Sequence, residues 1–508
     1  MLKILSIEQI RAADAFTISN EPISSTDLME RASTACADWI LSKLDQNQEV
    51  KIFCGQGNNG GDGLAIARLL AGLHYKVIVY SILHSDKSSD DFLINMERLI
   101  KQNKVEIKYI KASNNLDLIN NDEIIIDAML GSGLSKPVSG LLSECIQFIN
   151  NAGAVVISID LPSGLFSDKA IDTQKDLAIK ADYCLTFQTP KLAFFFPENE
   201  MYVGDWQVLP IGLHPSFLEE QTVSHYLVEQ KDVSELINVR KKFGHKGSYG
   251  HGLLIAGSYG KMGAAVLSAK AAMRSGAGLI TAHIPAKAYD IFQTTFPEAM
   301  VSIDSSDYHF SSLPKIEPYN AIAIGPGLGT DPETARALKL LIQNSIKPLI
   351  LDADALNILA ENPTWLHFLP KNSILTPHFK EFERLTNKVS NSFERNKLQR
   401  EFSIKYGIYI TLKGAYSSIS FPDGRIFFNS TGNPGMATGG SGDVLTGIML
   451  GLLAQGYSPA TVCLMGTYLH GLAGDIAAQN FGQESMLAGD IVDCISEAYK
   501  VLTINYNT

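Results

Sequence analysis

The stretch "NPGMATGGSGDVLTG" places Gly440, Ser441, Gly442 and Asp443 directly before an apolar, helix-like run, and all eight residues from Gly435 to Gly442 are Gly, Ala, Ser, Thr or Met. Glycine is entropically costly in ordered structure, so such a cluster implies that backbone must approach something closely. At the start of a helix, amide N–H groups and the helix dipole stabilise an anionic oxygen. An aspartate in the first turn looks wrong beside a phosphate unless its carboxylate works. Asp443 would take the proton of a substrate hydroxyl while the glycine amides stabilise a phosphoryl group in transfer. The bland alternative is an acidic residue favoured by the dipole. "ITLKGAYSS" sets Lys413 at a strand end, where it would neutralise nucleotide phosphates. "AIGPGLGT" and "LTPH" bring Gly327 and His378 to further strand exits. A lone histidine after proline is more often a turn or core residue than a catalyst. No Walker sequence is present: in "GSYGKMG", Met262 stands where Ser or Thr would follow the Gly-Lys pair.

A second constellation lies earlier. "CGQGNNGGDGLAIARLL" has Gly55, Gly57 and Gly60 at dinucleotide-fold spacing, with Asn58, Asn59, Gly61 and Asp62 around them. The next strand, "KVIVYSI", ends without the acidic residue that takes the ribose hydroxyls of NAD, which argues against an ordinary dehydrogenase. "IIIDAMLGSG" and "VVISIDLPSG" deliver Asp127, Asp160 and Ser163 to strand exits. Ligands gather at the carboxyl ends of strands in open α/β sheets, so Asn59, Asp127, Asp160 and Ser163 are expected to converge. That set is rich in oxygen and lacks His and Cys, which suits a hard cation. Singly, each aspartate reads equally as a helix cap or turn former.

Both constellations need a rigid frame, and the pattern supplies two. Short β-branched runs ("VKIFC", "KVIVYSI", "EIIIDAML", "AVVISIDLP") alternate with Ala/Leu-rich amphipathic stretches, then a polar segment intervenes, and a second alternating series runs from "GHGLLIAGS" to "YSSISF". The reading is α/β throughout: a Rossmann-like three-layer α/β/α domain over 1–215, a connecting segment over 216–245 and a second α/β domain over 246–508. The length of 508 residues favours more than one core, and a 45% hydrophobic, 19% charged composition is globular. Net charge is −11, without a Lys/Arg block, so neither nucleic acid nor an anionic membrane is an expected partner. Six scattered cysteines without zinc-ligand spacing, an early Glu8 and Arg11, and no run long enough for a membrane span predict a cytoplasmic protein with buried free thiols.

Order, spacing and content of these motifs, together with "IRAADAFTI", "LMERA", "GAAVLSAKAAMRSGAGL" and "LDADALN", resemble the family of bifunctional NAD(P)H-hydrate repair enzymes over nearly the whole chain. The resemblance implies an amino-terminal NAD(P)H-hydrate epimerase and a carboxyl-terminal, ribokinase-like, ADP-dependent dehydratase. It implies that Asn58, Asn59, Gly60, Gly61 and Asp62, with Gly131, Ser132, Gly133, Leu134, Ser135, Lys136 and Pro137, bind the hydrated dinucleotide. Asp160 would be the epimerase acid/base, and Asn59, Asp127 and Ser163 would ligate potassium. In the second half, Ala264, Gly327, His378 and Asp443 would meet the hydrate, and Lys413, Gly414, Ala415, Tyr416, Ser417 and Gly442 the nucleotide, which carries magnesium. Substrates would be NADHX, NADPHX and ADP, and a homo-oligomer is expected. The chain departs from the family at Gln56, at Phe379 and Lys380 (for Pro-Gly), and at Tyr416 and Ser417 (for Gly-Thr). These departures bear on the shape of the nucleotide pocket. The competing reading is a vitamin or sugar kinase with a non-catalytic amino-terminal binding domain.

Overall fold

The computed structural model describes residues 1–43, 45, 47–172 and 175–503. The main bodies of its two compact units are Lys3–Val223, and Ser224–Ser390 with Glu394 onward.

In the first unit every sheet pairing is parallel. Strands β1 (Val50–Cys54), β2 (Val77–Ile82), β3 (Glu106–Ile110), β4 (Ile124–Ala128), β5 (Val155–Ile159), β6 (Tyr183–Phe187) and β7 (Asp205–Leu209) lie in the order β3-β2-β1-β4-β5-β6-β7. The continuous apolar runs follow from this arrangement, because both faces are covered. Val50, Ile52, Ile124 and Ile126 enter one core and Phe53 and Ile125 the other, as a period of two requires. Phe53 stacks on Tyr80 at 4.8 Å in the second core. Helices α1 (Ile7–Asn20) and α2 (Ser25–Lys43) precede β1, and α3 (Asn58–Gly72) follows it after a short turn. Strand order reverses between β1 and β4, and that crevice is where a doubly wound sheet binds ligands.

The second unit carries a larger, mainly parallel α/β sheet. Strands β8 (His225–Val228), β9 (His251–Ile255), β10 (Leu279–Ile284), β11 (Met300–Ile303), β12 (Ala321–Ile324), β13 (Leu349–Leu351), β14 (Ile374–Leu375), β15 (Tyr409–Leu412), β16 (Ser418–Ser420) and β17 (Ile426–Asn429) run in the order β8-β17-β16-β15-β14-β13-β12-β9-β10-β11. Pairings are parallel except those of β16 with β15 and β17. Here the reversal falls between β9 and β12. Residues 216–245, expected to connect, instead include β8, which lies parallel to β17 with Tyr226 stacked on Phe427 at 5.1 Å. The polarity of the segment hides the strand because its pairing is backbone-driven and only Leu227 and Val228 are buried.

Helices α4 (Met262–Arg274), α5 (Phe379–Leu385), α6 (Ser441–Ala454) and α7 (Pro459–Phe481) surround the second crevice. A Cβ on Gly447 would meet the Ser268 carbonyl oxygen at 2.2 Å, and one on Gly451 the Ala272 carbonyl oxygen at 2.4 Å. Those two glycines therefore let α6 lie against the backbone of α4, which fixes where the amino terminus of α6 points. All six cysteines are buried free thiols. Among the described residues no helix is long and apolar enough to cross a membrane.

Candidate active sites

The carboxyl edge of the first sheet opens into a cavity of about 960 Å³. It is lined by Asn58, Asn59, Asp62, the whole Gly131–Pro137 loop and Asp160. Gly60 and Gly61 are absent from that lining, and their place in the fold explains them as packing residues. A Cβ on Gly60 would sit 1.8 Å from the Gly55 carbonyl oxygen, and one on Gly61 would strike Met29 Sδ at 2.8 Å. Gln56 replaces the family's proline and ties two segments together. Its Oε1 accepts from the Ser85 amide at 2.8 Å, and its Nε2 donates to Ser88 Oγ at 3.2 Å.

Asp160 adopts a left-handed backbone (φ +64°) just after β5, which lifts its carboxylate out of the sheet plane. Lys191 Nζ lies 2.8 Å from Asp160 Oδ1 and donates to Thr186 Oγ1 at 2.9 Å. Only 2% of the Lys191 side chain is exposed. Burial works to raise the Asp160 pKa. The Lys191 charge and the hydrogen bonds from Lys191, Ser132 and the Phe187 backbone outweigh it, so Asp160 is held below the ordinary range. Two further carboxyls face the same space and behave in the opposite way. Burial first, then the Asp160 charge, push Asp14 of α1 up to about 6 and Asp62 well above its ordinary value. Lys191 and Asp14 were missed in the sequence. Nothing marks a lysine in "TPKLAF" or an aspartate on an amphipathic helix as facing one cavity.

Asp127 and Ser163 lie behind the cavity wall. Asp127 is fully buried and accepts from Ser158 Oγ (2.8 Å), the Ser163 amide (2.8 Å) and Ser163 Oγ (2.5 Å). Ser163 Oγ is 3.2 Å from the Leu130 carbonyl oxygen, which also accepts from Asn59 Nδ2 at 2.9 Å. Burial raises the Asp127 pKa despite these donors. A buried carboxylate beside a hydroxyl, an amide and a backbone carbonyl is an all-oxygen set that fits a hard monovalent cation.

In the second unit, Gly440 (φ +93°) turns the chain into α6. The preceding loop is clamped by Asp475, which accepts from the Gly432 amide and from Asn433 Nδ2, both at 2.9 Å. Asp443 sits in the first turn of α6, and among the described residues its carboxylate has no hydrogen-bond partner. Burial, then the charges of Asp352 and Asp354, push its pKa up to about 6 against the pull of Lys413. Lys413 is not a free cation. Its Nζ contacts Asp352 Oδ1 at 2.7 Å, with Glu381 at 3.9 Å. Asp352 also accepts from Thr446 Oγ1 at 2.6 Å. Counting Lys413 against Asp352, Glu381 and ionised Asp443, the side chains around the cradle are net negative. Any anion placed there would meet a Lys413 whose charge is already shared with Asp352.

Gly327 (φ +59°) faces α4, where an added Cβ would lie 3.0 Å from Ala264 Cβ, so this pair stands at the β9/β12 reversal. His378 is the cap of α5: its Nδ1 accepts from the amides of Lys380 (3.1 Å) and Glu381 (3.3 Å). Burial chiefly lowers its pKa, so it presents a neutral ring. Tyr416 takes φ +49°, a left-handed backbone that favours glycine. Phe379 lies against Gly414 (3.0 Å from an added Cβ), with Arg395 stacked 4.6 Å over its ring. His470 of α7 is buried beside Ser441 (Oγ to Nε2, 3.4 Å), and burial pushes its pKa down to about 4. Asp352 lies in the "LDADALN" run, whereas His470 carries no sequence signal beyond residue type.

The fold and the two sites define a two-domain α/β enzyme, with a carboxylate–lysine acid/base cavity in one unit and a kinase-like anion cradle in the other. Residues 252–497 match the family model described as NAD(P)H-hydrate dehydratase, and 25–193 match that of the YjeF-related protein N-terminus. The bifunctional NAD(P)H-hydrate repair enzyme of Moorella thermoacetica is 34% identical, covering 96% of this chain and 95% of that protein. That of Coxiella burnetii is 35% identical, covering 95% of this chain and 96% of its own. A solved structure, the ADP/ATP-dependent NAD(P)H-hydrate dehydratase of Bacillus subtilis with ATP/Mg2+, is 31% identical and covers 55% of this chain and 98% of its own (TM-score 0.48). The chain belongs to the family of bifunctional NAD(P)H-hydrate repair enzymes.

Proposed function

We propose that the first unit interconverts the R and S hydrates of NADH and NADPH at C6, and that the second dehydrates the S form at the expense of ADP. The observation that carries the second assignment is Asp443, an unpartnered carboxylate pushed up to about 6 beside the Gly440–Gly442 amides. Hydration of reduced nicotinamide leaves a hydroxyl on C6, and hydroxide is a poor leaving group. Asp443 takes the hydroxyl proton while the oxygen attacks the terminal phosphorus of ADP. AMP departs, the ring nitrogen's lone pair expels phosphate to leave a C6=N1 iminium, and loss of a proton from C5 to solvent returns that pair to N1 and forms the C5=C6 double bond of NAD(P)H. The amides of Gly440, Ser441 and Gly442 hold the phosphoryl oxygens through its transfer. Ala264, Gly327 and His378 border the hydrate, and Lys413–Ser417 with Gly442 border the nucleotide. Neutral His378 offers its remaining ring nitrogen without adding charge.

Magnesium would be held mainly by the nucleotide's own phosphates and water, since Asp352 is already engaged by Lys413 and Thr446. When bound it supplies the positive charge that the side chains of the cradle lack. In the first unit Asn59, Asp127, Ser163 and the Leu130 carbonyl would hold a potassium ion. When bound, that ion offsets the buried Asp127 charge and fixes the Gly131–Pro137 loop. Asp160 is the acid/base at C6, kept ionised by Lys191. We assign the epimerase to residues 1–215 and the dehydratase to 246–508, extended by β8.

Mixed R and S hydrates of NADH, incubated with the full chain, ADP and magnesium, should return completely to NADH at 340 nm-type absorbance of the reduced ring, on the order of seconds to minutes at typical turnover. Absence of recovery, with phosphorylation of a thiazole, pyridoxine or sugar instead, would replace this reading by the small-molecule kinase.

A further inference from the structure

Asp14 lies in the "IRAADAFTI" run, away from the strand exits that deliver Asp127 and Asp160, yet it faces the same cavity as Asp160 from a different wall. It sits on α1, whose position is fixed where Thr17 Oγ1 accepts from the His214 amide at 2.9 Å. Among the described residues its carboxylate makes no hydrogen bond or ion pair, although it is only partly exposed. Asp160, by contrast, is tied to Lys191 at 2.8 Å. One cavity thus holds one carboxyl that rests as an anion beside Lys191 and another that, among the described residues, has no hydrogen-bond partner. An epimerisation at a carbon bearing a hydroxyl needs that pairing, because one group must give a proton to the departing oxygen and another must take one from the arriving oxygen.

Resting on the epimerase reading above, we propose that Asp14 is the second catalytic residue of this site, the acid that protonates the leaving C6 hydroxyl, while Asp160 accepts a proton from the water that adds to the opposite face. The C6–O bond breaks with its electron pair leaving as water, and the N1 lone pair forms a C6=N1 bond. Water oxygen then bonds to C6, its proton passes to Asp160, and the C6=N1 pair returns to N1. Asp14 ends ionised and Asp160 neutral, and exchange with solvent restores both. Epimerisation in the other direction runs the same steps with the two carboxyls exchanging roles. The charged groups around Asp14 are Asp62 on α3, Asp160, Lys191 and Arg11 of its own helix, with His84 and Lys111 further along the lining. Burial and then Asp160 raise Asp14 to about 6, against Lys191, which leaves a usable neutral fraction near pH 6.

The test uses the full chain and R-NADHX, with the epimers separated by chromatography. Asp14→Asn should lower kcat for epimerisation about 100-fold or more, the scale of losing one acid/base group, with KM within about threefold. Its dehydration of S-NADHX should stay at the wild-type value and its Tm should not fall, since removing a carboxyl raised by burial does not destabilise, and Asp14→Glu should recover at least about a tenth of the rate. Wild-type rate should fall as pH rises through about 6, and that limb should vanish in Asp14→Asn. In 18O-water the wild type should label C6 at the rate of epimerisation. Asp14→Asn epimerising within about threefold of wild type, a deficit confined to KM, or retention of the original oxygen would each overturn the proposal. A wild-type chain that does not interconvert the epimers would overturn the epimerase reading itself, and this role with it.

Discussion

Replacing Asp443 by Asn should make the second unit more stable while stopping its chemistry. The carboxylate is held in place at a cost, since burial and the neighbouring charges of Asp352 and Asp354 raise its pKa from 3.8 to about 6. That rise corresponds to ~3 kcal/mol of destabilisation of the ionised form. Partial solvent access reduces it to about 2 kcal/mol, and the favourable helix dipole lost with the charge removes ~0.5 kcal/mol more. A net gain of about 1.5 kcal/mol remains, worth ~3–5 °C in Tm for a unit of this size. A carboxyl whose pKa is raised by folding costs nothing below its unfolded pKa and its full penalty above its folded one. The gain should therefore be complete above pH 6 and gone below about pH 4. Differential scanning calorimetry of wild type and Asp443→Asn at pH 8 and pH 4 measures this, and S-NADHX turnover with ADP should fall ~10²–10⁴-fold in the same variant. An Asn variant that turns over like wild type, or whose Tm change is negative or the same at both pH values, would refute the reasoning.

Lys413→Met leaves Asp352 as an unpaired buried charge, so it should cost ~3–5 kcal/mol of stability, and Lys413→Met with Asp352→Leu should recover most of that in urea unfolding. Gly440→Ala places a Cβ 2.7 Å from Leu267 Cδ1 at φ +93°. It should weaken ADP binding, measured by calorimetric titration, about tenfold or more as the cradle shifts. Lys191→Met should abolish epimerisation while sparing dehydration of S-NADHX, and should move the acid limb of any residual epimerase pH profile upward as Asp160 loses the charge that holds its pKa down.

Much of this molecule is legible as a linear pattern. The buried runs at Val50–Cys54 and Ile124–Ala128 announce parallel strands covered on both faces. The glycine spacings announce helix starts, and Asp160 and Asp443 stand out because each is an acid at a place where an α/β fold exposes side chains. What the linear pattern did not show were partners. Nothing in the sequence announces that Asp352, sixty-one positions from Lys413, lies 2.7 Å from it. Nor does it show that the His378 ring caps α5, or that the Gly55 carbonyl and Met29 stand against Gly60 and Gly61. Strand β8 was hidden in a polar segment because its partner, β17, lies some two hundred residues on.

The sequence by itself determined most of the elements and the residue types delivered to the strand exits, because periodicity, turn chemistry and helix-start signals are local, whereas the strand orders and their reversals belong to the tertiary structure. Only the tertiary structure decided which charges are paired and which are free. It set Lys191 on Asp160, left the Asp14 and Asp443 carboxylates without hydrogen-bond partners among the described residues, and gave Asp352 to Lys413. The physical reason is that a carboxylate's proton affinity depends on burial and on charges a few ångströms away, and those neighbours arrive from distant parts of the chain.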